Sequence, residues 1–579
     1  MSEEKPRLEA ASNGYQVHYR GRRLYAAHDP RGGAARRAAA AEIQPQTLVI
    51  VASPLLGYGL RELLDICPPD AVVIAVELDP ALAALPLETA PTDDRLLWAR
   101  AHSAADLDRI LERALSRRPR RTRLLSLSGG FGLQPGDYRS LAGKLDDEIR
   151  IFWQNAMTRM RMGRLWIRNL FRNLPLMPAS TPLESLRTSL PIVVAGAGPS
   201  LDDRAAGLPP DGGADREQIL ILAVDTAVGP LAARGITPDF ILAVESQQAN
   251  AADFLTPLDA PDKFAEQGEI AQQSEGSGIA RPHLICDITA YPGVFHRADV
   301  AGLTFVSSRF APTALLERLS VSGLLPPEVP PLGSVGVLGV HLAARMTTGA
   351  VYVTGLDFSY DLERTHARGA PMQALSLARR TRLDPSPFFG MAMARPLLTL
   401  EGKDGRPARS DTVLLSYAEQ LRSTVSRLPE GRVYDLSPDR GLSNGAPAAR
   451  GPLPVAGISG TAGTDGGADT AGSPGTAGAG PRADAGVVDA YLDREAALLS
   501  ELVPRLRDVI ARTGTRADVS ADDYAAVRSL LADLDYVYLD FPDPPAATRS
   551  FLGRVLLSAL DYEGRLRRVR LMRERMPRR

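Results

Sequence analysis

Apolar and polar positions alternate along this chain in two different rhythms. Short, nearly continuous apolar runs recur, each bounded by glycine, proline or a polar residue. They are Thr47–Ser53 (TLVIVAS), Ala71–Val76 (AVVIAV), Ile192–Ala195, Ile219–Val224, Phe240–Val244, Leu284–Asp287, Thr304–Ser307 and Val351–Thr354. Runs of four to seven apolar residues, rich in Val and Ile, predict strands buried on both faces of a sheet. Between them lie stretches with the helical period: Leu60–Cys67, about 138–180, Thr226–Arg234 closing at Gly235, and Val335–Met346. Repeated strand–helix–strand order predicts α/β architecture with mostly parallel, doubly wound sheets. The pattern changes near 450. GISGTAGTDGGADTAGSPGTAGAGP cannot bury apolar surface and reads as a flexible linker. Beyond it an apolar stripe from Tyr491 through Leu499, Leu502 and Leu506 to Ile510 predicts a helix, with two more near Tyr524–Leu534 and Thr548–Met572.

These rhythms divide the chain into a Rossmann-like α/β domain (1–145), a central doubly wound domain (146–450), a linker (451–485) and a helical domain (486–579). A length of 579 residues accommodates three such bodies. Asn155, Asn169 and Asn173 in the helical stretch before the central sheet read as solvated positions of a helix face, with contact to a ligand as the alternative.

Composition narrows the function. A net charge of −1 gives no footprint for nucleic acid. The eight arginines between Arg565 and Arg579 read as a solvated basic helix end, with an acidic partner as the alternative. Two cysteines, Cys67 and Cys286, make no disulfide framework and read as core residues. No apolar run reaches the roughly 18 residues of a membrane span, and the first residues lack a signal-peptide core. A cytoplasmic location is expected.

The candidate chemistry lies just after the strands, where ligands bind in such sheets. Gly196-Ala197-Gly198-Pro199-Ser200-Leu201-Asp202 follows Ile192–Ala195 directly. Glycines permit a tight turn and close approach to a ligand, Ser200 can cap the following helix, and free amides at that helix start suit a phosphate. Gly333 and Ser334 form a second such start. Asp225, Thr226, Glu245 and Gln247 follow the next two strands, and Ser307 ends a later one. They can hold ribose hydroxyls, base edges or Mg2+. Asp357 and His366 are candidate proton-transfer groups, with Asp357 orienting His366. No cysteine–histidine cluster has zinc spacing, and no Walker lysine follows the glycines. In the first domain, Gly57-Tyr58-Gly59 after one strand and Glu77-Leu78-Asp79 after the next have the pattern of a dinucleotide or adenosyl-methionine site, or of a degenerate fold with an empty one.

The segments GAGPSLD (196–202), ILAVDTAVGPLAARGITPDFILAVES (221–246), GSVGVLGVHLA (333–343) and VTGLDFSYDLERTHARG (353–369) resemble the Maf family of motility-associated glycosyltransferases, whose central domain is termed 6-hydroxymethylpterin diphosphokinase MptE-like. VYDLSPDRGLSNGA (433–446) is similar to the family's closing segment. The resemblance implies a sialyltransferase-like central fold and transfer of a nonulosonic, sialic-acid-like sugar from a CMP donor to Ser or Thr of flagellin or another protein acceptor. It implies no tightly bound cofactor, although Mg2+ can take part. By position, Gly196, Gly198, Pro199 and Ser200 would hold CMP and Asp225 would lie near its ribose or base. Ala197 stands where the sialyltransferase loop usually has asparagine, and Glu245 where this domain type often has aspartate. Two other readings remain: an ATP-dependent pterin diphosphokinase with Mg2+ on Asp225 and Glu245, and a non-catalytic nucleotide-binding scaffold.

Overall fold

The structure is a computed structural model. It describes residues 5–100, 104–204, 207–213, 215–254, 281–297, 300–311, 313–360, 364–378, 380–383, 395–449, 453 and 483–575. The chain forms two compact units, Met1–Thr158 and Arg159–Arg579. The division falls inside one helix, Pro135–Asn173, rather than near 145 as the sequence pattern suggests. Most of the 451–485 linker lies outside the described residues.

The first unit opens with a small antiparallel sheet of β1 (Arg7–Ala11), β2 (Gly14–Tyr19) and β3 (Arg22–Arg23). A parallel sheet follows, built from β4 (Thr47–Ala52), β5 (Val72–Val76), β6 (Leu96–Ala99) and β7 (Arg121–Ser126) in the order β6-β5-β4-β7. Every β4 residue is buried, because alternate side chains feed opposite layers. Val49 and Val51 enter one core, and Leu48, Ile50 and Ala52 the other.

The second unit holds, among the described residues, a seven-stranded parallel sheet. Its strands are β8 (Ile192–Ala195), β9 (Leu220–Val224), β10 (Phe240–Ala243), β11 (His283–Asp287), β12 (Gly302–Val306), β13 (Val351–Thr354) and, beyond a small β14–β15 hairpin (Leu398–Glu401, Pro407–Ser410), β16 (Val433–Asp435). The order is β12-β11-β10-β9-β8-β13-β16. The chain winds outward from β8 to β12, then returns to place β13 on the other side of β8. This reversal makes the crevice beyond β8 and β13 the expected ligand position. The helix Val335–Met346 crosses the sheet closely. A Cβ at Gly339 would stand 3.0 Å from Val194 and 3.3 Å from Leu222, so the glycine brings helix and sheet together.

The C-terminal helices Ala485–Thr513, Ala521–Asp533 and Arg549–Arg575 share a core with this sheet. Leu499, Leu502, Leu506, Phe551 and Tyr562 join Ile241, Leu284, Cys286 and Phe305 there. Fully buried Glu495 pairs with Arg318 at 2.6 Å and accepts from Tyr536 at 3.3 Å. The basic helix end is partly neutralised within the fold: Arg565 pairs with Asp561, Arg570 with Asp493 and Arg573 with Asp489. Asn155 is exposed, but Asn169 and Asn173 are fully buried, which corrects their reading as solvated. Their amide groups donate to the carbonyls of Ser246 and Thr289, and of Ile288 and Ala290, tying down the loops after β10 and β11. Among the described residues no helix is long and apolar enough to cross a membrane.

Candidate functional site

A cavity of about 600 Å3 lies at the switch point. Its walls are the loops after β8, β9 and β13, the start of the Val335–Met346 helix, and side chains of the Thr412–Ser426 helix. The first and third loops touch backbone to backbone. The Gly196 amide donates to Thr354 O and the Gly198 amide to Gly355 O, both at 2.8 Å. A Cβ at Gly198 would stand 2.6 Å from Asp357 Oδ2 and 2.7 Å from Gly355 O, and one at Gly355 (φ +66°) would collide with Gly196. The glycines thus serve loop-to-loop packing.

Gly196, Ala197 and Gly198 line the cavity as expected, but this packing takes amides of their loop out of the expected phosphate role. The amides of Gly196 and Gly198 are committed to β13 and its loop. Ser200 is fully buried: its amide donates to Asp357 Oδ2 at 2.8 Å and its hydroxyl bonds to Asp357 Oδ1. The Asp357 carboxylate therefore occupies the anion position of the loop. Burial raises the Asp357 pKa, opposed by the two Ser200 hydrogen bonds and the charge of Lys403. Pro199 lines a neighbouring cavity instead.

The second glycine–serine turn is differently placed. Gly333, Ser334, Val335 and Gly336 all line the cavity. Ser334 is the N-cap of a twelve-residue helix and makes no side-chain cap bond to it, so the first-turn amides remain open to a ligand.

Asp225 and Thr226, at the end of β9, line the cavity as expected, with the Thr226 amide donating to Asp225 Oδ1 at 2.8 Å. Glu245 is exposed and does not line the cavity, although its carboxyl feels the Asp225 charge. The surrounding protein and then the Asp225 charge hold its carboxyl above the usual range. Among the described residues no third ligating side chain joins them in a metal-type cluster. Gln247 is exposed, reaches Met162 at 3.9 Å and does not line the cavity. Ser307 is excluded from the site. It is fully buried at the end of β12, the far edge of the sheet, where its backbone pairs with Pro327 and Val329. Only strands near the reversal bring their ends to the cavity.

His366 lines the cavity. Its Nδ1 lies 3.0 Å from Thr365 Oγ1, and burial lowers its pKa below the ordinary value of 6.5, favouring the neutral imidazole. The Asp357 carboxylate is engaged by Ser200, not His366, so the expected Asp–His orienting bond is replaced by a Thr–His one.

Sequence reasoning missed the opposite wall. Arg395, Leu414 and Tyr417 come from segments that end no strand. Asp411 organises them: it caps its helix through the Val413 and Leu414 amides, accepts from Tyr360 at 2.7 Å and pairs with Arg395 at 3.2 Å. The recoverable signal was Asp411 itself, an N-cap before an apolar helix. Phe358 lies in the left-handed region (φ +51°), rare for such a residue, in the loop that presents Ser359 and Tyr360 to the cavity.

A doubly wound parallel sheet with a cavity at its reversal defines the class of this central fold. Residues 168–363 match the 6-hydroxymethylpterin diphosphokinase MptE-like family model. The fold is similar to that of a MAf glycosyltransferase from Magnetospirillum magneticum AMB-1, with a TM-score of 0.52, 16% identity, and coverage of 99% of this chain and 91% of that one. Two uncharacterised proteins of Treponema pallidum (strain Nichols) are related in sequence. One is 29% identical over 449 residues, covering 74% of this chain and 72% of the relative. The other is 27% identical over 119 residues, 20% of this chain and 55% of the relative. The expected likeness to the Maf fold with an MptE-like central domain is thereby borne out.

Proposed function

We propose that this protein is a cytoplasmic glycosyltransferase that moves a nonulosonic sugar from a CMP donor to a Ser or Thr hydroxyl of a protein acceptor such as flagellin. The observation that carries the reading is the cavity at the β8/β13 reversal, which combines an open helix start, ribose-type acceptors and a neutral-biased histidine, in a fold shared with a glycosyltransferase.

The donor phosphate is assigned to the first-turn amides of Val335 and Gly336, the Gly333 amide being taken by Gln420 Oε1 at 3.0 Å, and there the helix dipole stabilises the departing CMP. Asp225, Thr226 and Glu245 offer acceptors for ribose hydroxyls or base edges. The acceptor hydroxyl attacks the anomeric carbon as the bond from that carbon to the phosphate oxygen breaks. The hydroxyl proton passes to His366, and CMP departs with the bonding electron pair. A second cavity of about 850 Å3 meets the first at Asp357, Ser359 and Tyr360, and gives the acceptor a separate approach.

A thermal-shift titration tests the donor half. CMP is expected to raise the unfolding midpoint without added metal, and Asp225→Ala to remove the rise. No response to CMP rejects the reading. The Asp225–Glu245 pair supports one alternative, a diphosphokinase in which those carboxylates would hold Mg2+ and the ion would supply charge to a nucleotide phosphate. A response to ATP only with Mg2+ favours it.

A further inference from the structure

The loop that carries His366 is held by one carboxylate. Asp202, in the short helix Leu201–Arg204 beyond the β8 turn, is nearly buried, its side chain 8% exposed. Its Oδ1 accepts from Arg234 at 2.7 Å and from the Arg368 backbone amide at 2.9 Å. Its Oδ2 accepts from Arg364 at 2.8 Å, and the Arg368 guanidinium stands 4.0 Å away. Arg364 and Arg368 lie two residues either side of His366, so one acid grips the loop at both ends. The Ala367 amide donates to Ala197 O at 2.8 Å. With its amide nitrogen turned toward them, Gln373 donates to the carbonyls of His366 and Ala367, both at 2.9 Å.

We infer that Asp202 is a positioning residue that fixes the Arg364–Arg368 loop and so sets the place of His366. A carboxylate shared by two arginines and an amide is a stiff joint, since each partner restrains the others and little water reaches it. The fold does not need this joint for burial, because Asp202 contributes no apolar surface. What the joint provides is a defined position for the imidazole against the cavity wall. As a catalytic role the inference rests on the glycosyl-transfer reading. As a statement about His366 it does not.

The test therefore uses no donor or acceptor. The full-length protein and Asp202→Asn are labelled with diethyl pyrocarbonate at a pH where imidazoles are neutral, and modification is followed peptide by peptide by mass spectrometry. His366 is expected to react several-fold faster in Asp202→Asn, with His283 and His341 unchanged, and Asp202→Glu to recover part of the protection. An unchanged His366 rate overturns the inference. So does acceleration at all three histidines, which would make Asp202 a general fold determinant. If Asp202→Asn does not fold, Arg364→Met, which removes one arm of the joint, is scored by the same readout. Selective labelling of His366 in a protein that shows no response to CMP would uphold the joint and reject glycosyl transfer instead.

Discussion

The two parallel sheets end in comparable crevices and treat them in opposite ways. In the first unit the order reverses between β4 and β7, and a glycine turn follows β4, as one follows β8 in the second. There, however, Glu77 at the end of β5 is 2% exposed and accepts from Ser53 at 2.7 Å, from the Asp79 amide at 3.1 Å and from Tyr138 at 3.2 Å. Ser128 donates to Ser53 O, and Asp79 is taken by Tyr19, Arg20 and the amides of Ala81 and Leu82. The acids of a dinucleotide pattern are present, but each is satisfied within the chain. In the central crevice the helix start at 333–336 and His366 face a cavity. A glycine turn and an acid at a strand end therefore do not mark a ligand site by themselves. What separates the two cases is whether the polar groups are already spoken for.

The largest effects should be common to both crevices. Gly57 (φ +86°) and Gly355 (φ +66°) are each in the left-handed region, with a Cβ that would collide with the Thr89 and Gly196 backbones. Gly57→Ala and Gly355→Ala should each cost about 3 kcal/mol or more in stability, measured by chemical denaturation. Equal losses would show that the glycines serve packing in both places, whereas a stable Gly355→Ala protein would break that equivalence.

Next comes His366→Gln. Loss of a general base should lower the turnover of sugar transfer by about 10²- to 10⁴-fold with the CMP-induced shift unchanged. In the parent, transfer should be full near neutral pH and fall as acid protonates His366. The midpoint should lie below 6.5, because burial lowers this pKa. A pH profile unaffected by the substitution would remove His366 from the chemistry.

Glu77→Gln should be mild, within about 1 kcal/mol, since an amide can keep the same partners. Burial raises the Glu77 pKa from its ordinary 4.5, so the folded state holds that proton more tightly than the unfolded one. The parent's linked stability is complete below 4.5 and fades as pH rises through the folded value. Glu77→Gln should abolish that slope in a series of melts. The smallest effect should be none: S-adenosyl-methionine or NAD should leave the melting midpoint unmoved. A rise that Glu77→Gln removes would make the two crevices functionally alike.

The runs of Val and Ile made β4, β5 and β8–β13 legible, because a strand buried on both faces has little other composition open to it. Strands β1, β3 and β7, which carry arginine, and the polar-interrupted β2 have no such run and escaped. The cavity was legible where strand ends near the reversal supplied it, as at Asp225 and Asp357. It was not legible where strand order decided the outcome, since nothing local to Ser307 reveals that β12 lies at the far edge. Arg395 and Tyr417 escaped for a related reason: helix packing, not strand sequence, brings them to the wall. The Ser200–Asp357 bond joins residues 157 positions apart, and the individual segments give no sign that one will fill the other's anion position.

The shared core of the C-terminal helices has a practical consequence for dissecting the protein. The glycine-rich stretch near 460 invites a cut there, to keep the sheet and discard the helices. Such a cut would bare the faces of β10, β11 and β12 that Leu499, Leu502 and Phe551 cover, and leave Arg318 without Glu495. The sheet and the helices share one core, so severed halves should regain solubility only when produced together.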